Sequence, residues 1–259
     1  MFTAIVLAGD RAAADPHACL LPGRKALLPL AGKPMLAHVL GALAEANGVA
    51  AVFIAANRVK EIEAGLQAAG VPLGRVHFSE GAASPVQSVL EVAKRERIPF
   101  PLLVLTADSP LLTAPEIDAF CLKALAAKAD AAVAVGEKSR LAKIFPNAAR
   151  TWIPLRGDAY HGCNLFALLT PKAMTAVRFW RSVEGRRKSA LRLAAKLGFK
   201  LFLGVLFRAV SLEGAFRVFS QSLKVKVVPV SPGDIRIAID VDKPADAALA
   251  EQILLEAAR

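Results

Sequence analysis

Short apolar runs alternate with amphipathic stretches along most of this chain. Residues 3–8, 49–55 and 101–106 are continuous apolar runs, of the length expected for strands buried on both faces of a parallel sheet. Between the first two runs, apolar residues recur every three or four positions in residues 36–43, as on one side of a helix. This alternation predicts a Rossmann-like, doubly wound, mostly parallel α/β sheet that is flanked by helices.

Weaker runs complete the predicted sheet and its helices. The further predicted strands are residues 75–78, 131–135, 162–168, 225–230 and 235–239. The further predicted helices before the C-terminal part are residues 59–69, 85–93 and 114–127. A chain of 259 residues can bury a sizeable core, so we expect residues 1–259 to form a single domain.

The pattern changes in residues 175–224, which we predict to be a basic helical insert within this domain. Residues 178–208 contain nine Lys or Arg residues and one acid, Glu184, among many Phe and Leu residues. The longest apolar piece, residues 197–210, is too short to span a bilayer. Three interpretations remain open: a helix lying on an anionic membrane, a lid over an amphiphilic substrate, or a packed insert with a solvated basic face.

The net charge limits the classes of partner that the protein can have, and the cysteine content indicates its cellular compartment. The net charge of +11 calls for an anionic partner, and phosphorylated substrates, membranes and nucleic acids are all anionic. Nucleic acid is not expected, because the aromatic residues near the cations are Phe among aliphatic residues. Three scattered cysteines and the absence of a basic, signal-like N-terminus predict a cytoplasmic protein. Peripheral contact with the inner face of the membrane is kept as an alternative.

The first predicted strand leads into a segment suited to phosphate. Gly9 ends the strand, a loop with glycine and cations follows through Gly23, Arg24 and Lys25, and Pro34 then opens a helix. In such a strand–loop–helix unit, backbone N–H groups point at the phosphates while Lys or Arg supplies positive charge. The opening therefore indicates a nucleotide or phosphate site.

Two acidic positions are candidates for a metal site. Asp108 follows the apolar run 101–106, at the edge where open α/β sheets bind their ligands, although a turn or cap role also fits. Late in the chain stand Asp240, Asp242 and Asp246, of which any could instead cap the following helix.

The segments Leu7-Ala8-Gly9, Gly23-Arg24-Lys25 and Asp108-Ser109-Pro110-Leu111 resemble those of the MobA-like nucleotidyltransferases. The resemblance implies a catalytic Lys25, and Asp108 and Asp242 as catalytic ligands of Mg²⁺, with Asp240 in reserve. Residues implied to bind the substrates are Leu7, Ala8, Gly9, Arg11, Gly23, Arg24, Gly81, Ser84, Ser88 and Asn164. Of these, the segment from Gly81 to Ser88 would meet the nucleobase, or be only a capped helix start, and Asn164 would belong to the acceptor pocket.

The expected activity is the Mg²⁺-dependent transfer of NMP from an NTP, with CTP or GTP as the expected donor. The acceptor would be a phosphorylated small molecule or lipid precursor, and pyrophosphate would leave. The sequence lacks GxGxxG and GxxxxGK[ST], which argues against a dinucleotide oxidoreductase or a P-loop NTPase. A glycosyltransferase and a non-catalytic membrane-surface or substrate-binding protein on the same fold are the alternatives. A glycosyltransferase of this fold usually has Asp-x-Asp at the place where this chain has Asp108-Ser109-Pro110.

Overall fold

A mixed eight-stranded sheet forms the centre of the computed structural model, which describes residues 1–10, 25–146, 148, 150–183 and 199–257. Its strands are β1 (Phe2–Leu7), β4 (Val49–Ala56), β5 (Val76–Glu80), β6 (Leu102–Thr106), β7 (Ala131–Glu137), β8 (Ile153–Pro154), β9 (Ala159–Leu168) and β10 (Val227–Val230). Strands β2 (Pro29–Leu30) and β3 (Lys33–Pro34) form a separate two-stranded antiparallel sheet. The helices are α1 (Met35–Glu45), α2 (Val59–Ala68), α3 (Pro85–Arg95), α4 (Ala114–Ala126), α5 (Lys138–Ile144), α6 (Ala173–Val183), α7 (Phe199–Leu206), α8 (Leu212–Leu223) and α9 (Pro244–Ala257). Short 3-10 helices occur at Lys25–Leu27 and Ile235–Ala238.

The strand order in the sheet is β10-β7-β9-β6-β1-β4-β5, and β8 pairs with β9 outside this path. Parallel pairs join β1 to β4 and β6, β4 to β5, and β7 to β10. Only one strand on the path, β9, runs antiparallel to its neighbours there, and it lies between β6 and β7. The predicted mostly parallel α/β fold is thereby confirmed. Because β9 is reversed, its first half reaches the edge at which β6 and β7 end.

Both faces of the sheet are covered, as the continuous apolar runs predicted. Ala4 and Val6 of β1 point into one hydrophobic cluster, whereas Ile5 between them points into the other. Helices α1, α4 and α9 contribute to the first cluster, while α3, α6 and α8 contribute to the second. Since successive residues of a strand face opposite sides, only a strand covered on both faces needs every position apolar.

The sequence prediction is wrong at residues 235–239, which were expected to form a strand. Ile235–Ala238 is a 3-10 helix whose first turn is capped by Asp234, with a carboxylate oxygen accepting the Arg236 amide at 2.9 Å. The apolar residues of this turn point into the first hydrophobic cluster, so their hydrophobicity reflects burial and not strand pairing. Helix α5 was not predicted, because Leu141 is its one buried residue and no apolar stripe marks it.

Most of the described residues in the segment 175–224 lie in helices α6, α7 and α8, as predicted. Helices α6 and α8 pack against each other, and the rings of Phe179 and Phe219 meet edge to face at 5.5 Å. Phe216 and Leu223 also pack against the second hydrophobic cluster. Residues 184–198, which carry many of the cations, lie outside the described part of the chain. Among the described residues, no helix is long and apolar enough to cross a membrane.

Candidate active site

Three charged side chains from distant parts of the chain meet at the carboxyl edge of the sheet. The ammonium group of Lys25 lies 2.6 Å from a carboxylate oxygen of Asp108 and 2.7 Å from one of Asp242. Lys25 lies in the 3-10 helix before β2, Asp108 follows β6, and Asp242 lies two residues before the start of α9. The structure thus brings together the three residues predicted to be catalytic, and their role in catalysis stays a prediction.

The position of Asp108 follows from the end of strand β6. The hydroxyl group of Thr106, the last residue of the strand, donates to the carboxylate of Asp108 and lies 3.2 Å from the Ser109 hydroxyl. The backbone carbonyl of Asp108 accepts the amide of Val241 at 2.9 Å. This bond ties the loop after β6 to the segment that carries Asp242, so both carboxylates belong to one local structure.

The structure separates Asp242 from the reserve candidate Asp240. The Asp242 side chain is 47% exposed and faces Lys25, whereas that of Asp240 is 18% exposed and faces Arg150 at 3.4 Å. Burial, followed by the negative charges of Asp108 and Asp242, raises the pKa of Asp240 above its ordinary value, and Arg150 opposes the shift. Asp242 is therefore the better placed of the two to meet a ligand.

Lys25 is held as a cation although it is largely buried. Burial lowers its pKa, but the charges of Asp108 and then Asp242 outweigh that effect, and the net shift is well above the ordinary lysine value. The backbone amide of Lys25 donates to a carboxylate oxygen of Asp10 at 3.2 Å. Two residues further on, Leu27 packs so closely on α2 that a Cβ at Gly65 would lie 2.5 Å from it. These contacts fix the start of the turn that presents the ammonium group.

Among the substrate-binding residues predicted near the first strand, Leu7, Ala8 and Gly9 lie at the end of β1. The amide of Ala8 donates to the carbonyl of Ala55 at 2.8 Å, and the carbonyl of Leu7 accepts the amide of Ala107 at 3.0 Å. These backbone bonds hold the three adjacent strand ends together. Arg11, Gly23 and Arg24 lie outside the described residues, so their predicted contacts stay predictions.

Sequence reasoning missed Asn57, which directly follows β4. Its side-chain amide donates to the carbonyl of Asp10 at 3.3 Å. A Cβ at Gly9 would lie 3.6 Å from the Asn57 side chain, and one at Gly81 would lie 3.1 Å from it. Asn57 therefore fills the space between the end of β1 and the segment after β5. Its place just after an apolar strand was the signal that could have marked it.

The predicted nucleobase segment is a tightly bonded helix start. Ser84 caps α3 by accepting the amide of Gln87 at 3.2 Å, and the Ser88 hydroxyl accepts the amide of Ala82 at 2.8 Å and donates to the carbonyl of Ser84. The amide of Gly81 donates to the carbonyl of Ala56 at 2.9 Å. The capping role is thus confirmed, and contact with a base stays a prediction.

Asn164, predicted to belong to the acceptor pocket, lies beside the acidic segment. It has a left-handed backbone with φ of 52°, and its side-chain amide lies 3.5 Å from a carboxylate oxygen of Asp240. The register of β9 against β7 shifts between Val133 and Val135, opposite this part of the strand. Cys163 beside it is buried, and burial raises the pKa of its thiol to about 12, so it is not a thiolate nucleophile.

The carboxylates of Asp108 and Asp242 fit a Mg²⁺ site that substrate phosphates would complete. Both approach a single cationic point, now held by the Lys25 ammonium, and Mg²⁺ is commonly bound through one or two carboxylates together with phosphates and water. Within the described part of the chain, no group of three or more His, Cys, Asp or Glu side chains is arranged to hold a metal. The donor set thus suits a site shared with substrate, not a closed structural metal site.

The chain whose mostly parallel α/β sheet brings Lys25, Asp108 and Asp242 together at its carboxyl edge matches a known family of nucleotidyltransferases. The chain belongs to the family described as the MobA-like NTP transferase domain, which matches residues 4–193. The match ends within the predicted insert. A comparison with curated proteins finds no match to the sequence.

Solved structures share the fold of this chain. A hypothetical transferase from Thermus thermophilus is 27% identical, with a TM-score of 0.72, over 95% of this chain and 99% of that one. A CMP:2-keto-3-deoxy-manno-octonic acid synthetase complexed with CTP is 15% identical, with a TM-score of 0.59, over 99% and 100%. The 4-diphosphocytidyl-2C-methyl-D-erythritol synthase of Anaerococcus prevotii is 13% identical, with a TM-score of 0.57, over 98% of each chain. The last two similarities concern the fold alone.

Proposed function

We propose that this protein is a Mg²⁺-dependent nucleotidyltransferase that transfers NMP from an NTP to a phosphorylated acceptor and releases pyrophosphate. The observation that carries the proposal is the position of Lys25 between Asp108 and Asp242 at the carboxyl edge of the sheet. One lysine and two carboxylates meet there in a chain of the MobA-like family. This arrangement matches the needs of a reaction in which both substrates and both products are anions.

Each of the three residues has a role that follows from its charge. Asp108 and Asp242 would hold Mg²⁺, which when bound supplies positive charge to the phosphate oxygens. Lys25, kept protonated by its surroundings, would offset the negative charge that develops on the leaving pyrophosphate. The attacking phosphate of the acceptor is already ionised, so the protein needs no general base. Its main work is then to position the substrates and to neutralise charge.

Cytidine nucleotides are the first donors to test. The names of two proteins with the same fold contain a CMP or cytidyl group, and one of these proteins is complexed with CTP. CTP and GTP are the donors we propose, with CTP first for this reason.

A pyrophosphate-release assay tests the proposed reaction directly. CTP, GTP, ATP and UTP are each incubated with Mg²⁺ and a panel of sugar, polyol, cofactor and lipid phosphates. The expected result is release of pyrophosphate that requires one NTP, one class of acceptor and Mg²⁺, with none from Asp108→Asn. A parallel assay replaces the NTP with a nucleotide sugar. Release of free nucleoside diphosphate in that assay would instead identify a glycosyltransferase. Substrate binding without turnover under all conditions would identify a binding protein.

We also propose that the insert of residues 175–224 contacts either the apolar part of an acceptor or an anionic membrane. Val205 of α7 packs with Leu155 and Tyr160 beside the first half of β9, which is the strand that carries Asn164. Just beyond α7, the Phe207 side chain is 72% exposed and stands next to exposed Arg208. An exposed aromatic ring beside a cation is suited to a lipid-like group or an anionic interface. The packing of Phe216 and Phe219 on the core is what the third interpretation, a packed insert, predicts for α8.

Vesicle co-sedimentation separates these interpretations. A cation near an anionic surface contributes about 1 kcal/mol, so vesicle binding at low salt should be measurable and should weaken at high salt. Phe207→Ser should weaken it, while Leu122→Ser, which removes an exposed leucine from α4, should not. Recovery of the wild-type protein in the supernatant at low salt would exclude the membrane. In that case the lid interpretation predicts that Phe207→Ser raises the KM for the acceptor and leaves the KM for the NTP unchanged.

A further inference from the structure

The segment that carries Asp242 is held by one buried arginine from a distant part of the chain. The guanidinium group of Arg150 donates to the backbone carbonyls of Ala238 at 3.2 Å and of Asp240 at 3.0 Å. Its side chain is only 5% exposed. A planar guanidinium has five N–H donors in a fixed arrangement, so it can hold several acceptors in a defined geometry, whereas a lysine has three donors on a flexible stem.

Asp246 connects this arginine to the backbone of Asp242. One carboxylate oxygen of Asp246 accepts from Arg150 at 2.8 Å. Its other oxygen accepts the amide of Asp242 at 3.2 Å and the amide of Lys243 at 3.0 Å. The path from the guanidinium group to the backbone of Asp242 therefore passes through a single carboxylate. That carboxylate also satisfies two amides at the start of α9, which otherwise lack helical partners.

Arg150 also divides the local charges into two groups. It forms ion pairs with Asp240 at 3.4 Å and Asp246 at 2.8 Å, both of which are largely buried. Lys25 forms ion pairs with Asp108 and Asp242. If Arg150 were removed, the largely buried carboxylates of Asp240 and Asp246 would lose this cation. Both carboxylates lie in or next to the segment that carries Asp242. An uncompensated buried charge is strongly unfavourable, so the segment would rearrange.

We propose that Arg150 is a positioning residue, which acts through Asp246 and the carbonyls of Ala238 and Asp240 to hold Asp242 opposite Asp108. The inference rests on the proposed function, because Asp242 serves there as a metal ligand. Residues that orient ligands from behind typically change metal affinity or activity by about 10- to 100-fold when they are replaced.

Amide hydrogen exchange of the full chain tests the positioning without any ligand. Arg150→Ala should speed exchange of the Asp242 and Lys243 amides at least tenfold and leave the β1 and β6 amides protected. The matched control is Arg140→Ala, since Arg140 also donates to loop carbonyls, of Pro232 at 2.8 Å and Gly233 at 2.7 Å, but away from Asp242. Unchanged exchange in the Asp242 segment, or an equal increase throughout the sheet, would overturn the inference.

Mn²⁺ binding, followed by the EPR signal of the free ion, links the positioning to the site. Arg150→Ala should weaken Mn²⁺ binding about tenfold or more, Arg150→Lys should recover little of it, and Arg140→Ala should match the wild type. Equal Mn²⁺ affinity of the wild type and Arg150→Ala would overturn the inference and leave the proposed function intact. Absence of Mn²⁺ binding and of nucleotidyl transfer in the wild type would reject the proposed function, while the exchange data would still decide the positioning.

A second variant covers the case in which Arg150→Ala does not fold. Asp246→Asn keeps the size of the side chain but weakens the link between Arg150 and the Asp242 amide. It should produce the same local increase in exchange and the same loss of Mn²⁺ affinity. If it changes neither, Arg150 does not act on Asp242 through this carboxylate, and the inference fails.

Discussion

Replacement of Lys25 by alanine tests the centre of the site, because one ammonium group serves two carboxylates. Its side chain is 17% exposed, Asp108 is 19% exposed and Asp242 is 47% exposed. Two unit charges 4 Å apart interact by about 4 kcal/mol at an effective dielectric constant of 20. Solvent screens the pair with Asp242 far more than the pair with Asp108, and exposed pairs contribute about 0 to 1 kcal/mol.

The variant is expected to lose both stability and activity. Removing one partner of a buried pair costs about 3 to 5 kcal/mol, and the partial exposure of this site reduces the expected loss of unfolding free energy to roughly 2 kcal/mol. Loss of a cation beside the leaving pyrophosphate is expected to lower kcat/KM about a hundredfold or more, which corresponds to about 2.7 kcal/mol. The loss of activity should therefore exceed what partial unfolding can explain.

The pH dependence of the stability loss follows from the direction of the lysine pKa shift. The pKa of Lys25 is raised in the folded protein, so its stabilisation is complete below the ordinary lysine pKa and is lost only as pH rises through the raised value. The difference in unfolding free energy between wild type and Lys25→Ala should thus be constant between about pH 7 and 9.

Urea denaturation and steady-state kinetics provide the measurements, with Lys33→Ala as the matched control. Lys33 lies in the same region of the chain but is exposed, so Lys33→Ala should change the unfolding free energy and kcat/KM very little. A loss in kcat/KM below threefold for Lys25→Ala would refute the catalytic role and move it to Lys33, Arg11 or Arg24.

Three further substitutions test the metal site, a structural carboxylate and a close contact. Asp108→Asn should abolish turnover without unfolding the protein, and a wild-type kcat for this variant would contradict the metal assignment. The hydrogen bond from the Thr170 hydroxyl lowers the pKa of Asp130, so its stabilisation is present above the ordinary carboxyl pKa and lost as pH falls through the lowered value. Asp130→Asn should therefore reduce the unfolding free energy by about 1 kcal/mol at neutral pH but not in strong acid, and an equal loss at both would refute this. A Cβ at Gly136 would lie 3.2 Å from that of Ala238, so Gly136→Val should lower the unfolding free energy by about 1 to 3 kcal/mol in urea denaturation.

The sequence by itself determined the class of fold and the residue types of the site. Apart from Thr3 and Thr106 at their ends, the runs 3–8, 49–55 and 101–106 are apolar at every position, which is required only where a strand is covered on both faces. Asp108 became a candidate because it follows such a run closely, at the end of a parallel strand where these sheets bind ligands, and the family resemblance favoured it over a turn or cap role. Both inferences rest on local patterns, which the printed residues contain in full.

Local patterns did not reveal the pairing of β9 or the contacts of Arg150. The reversed direction of β9 depends on which neighbours, β6 and β7, it meets after a long connection. Arg150 lies in a stretch without periodicity, and its acceptors are 88 to 96 residues further along the chain. No spacing rule in the sequence connects residues so far apart.

Only the tertiary structure shows which of Asp240 and Asp242 faces Lys25. Both occur in one short acidic segment with the same local signal, and the resemblance alone favoured Asp242. In the folded chain Asp240 faces Arg150, while Asp242 faces Lys25, which is 217 residues away in the sequence. The strength of the interaction between two charges depends on the distance between them and on how far they are buried from solvent. Only the path of the whole chain sets those two quantities, so the structure had to decide which carboxylate faces the site.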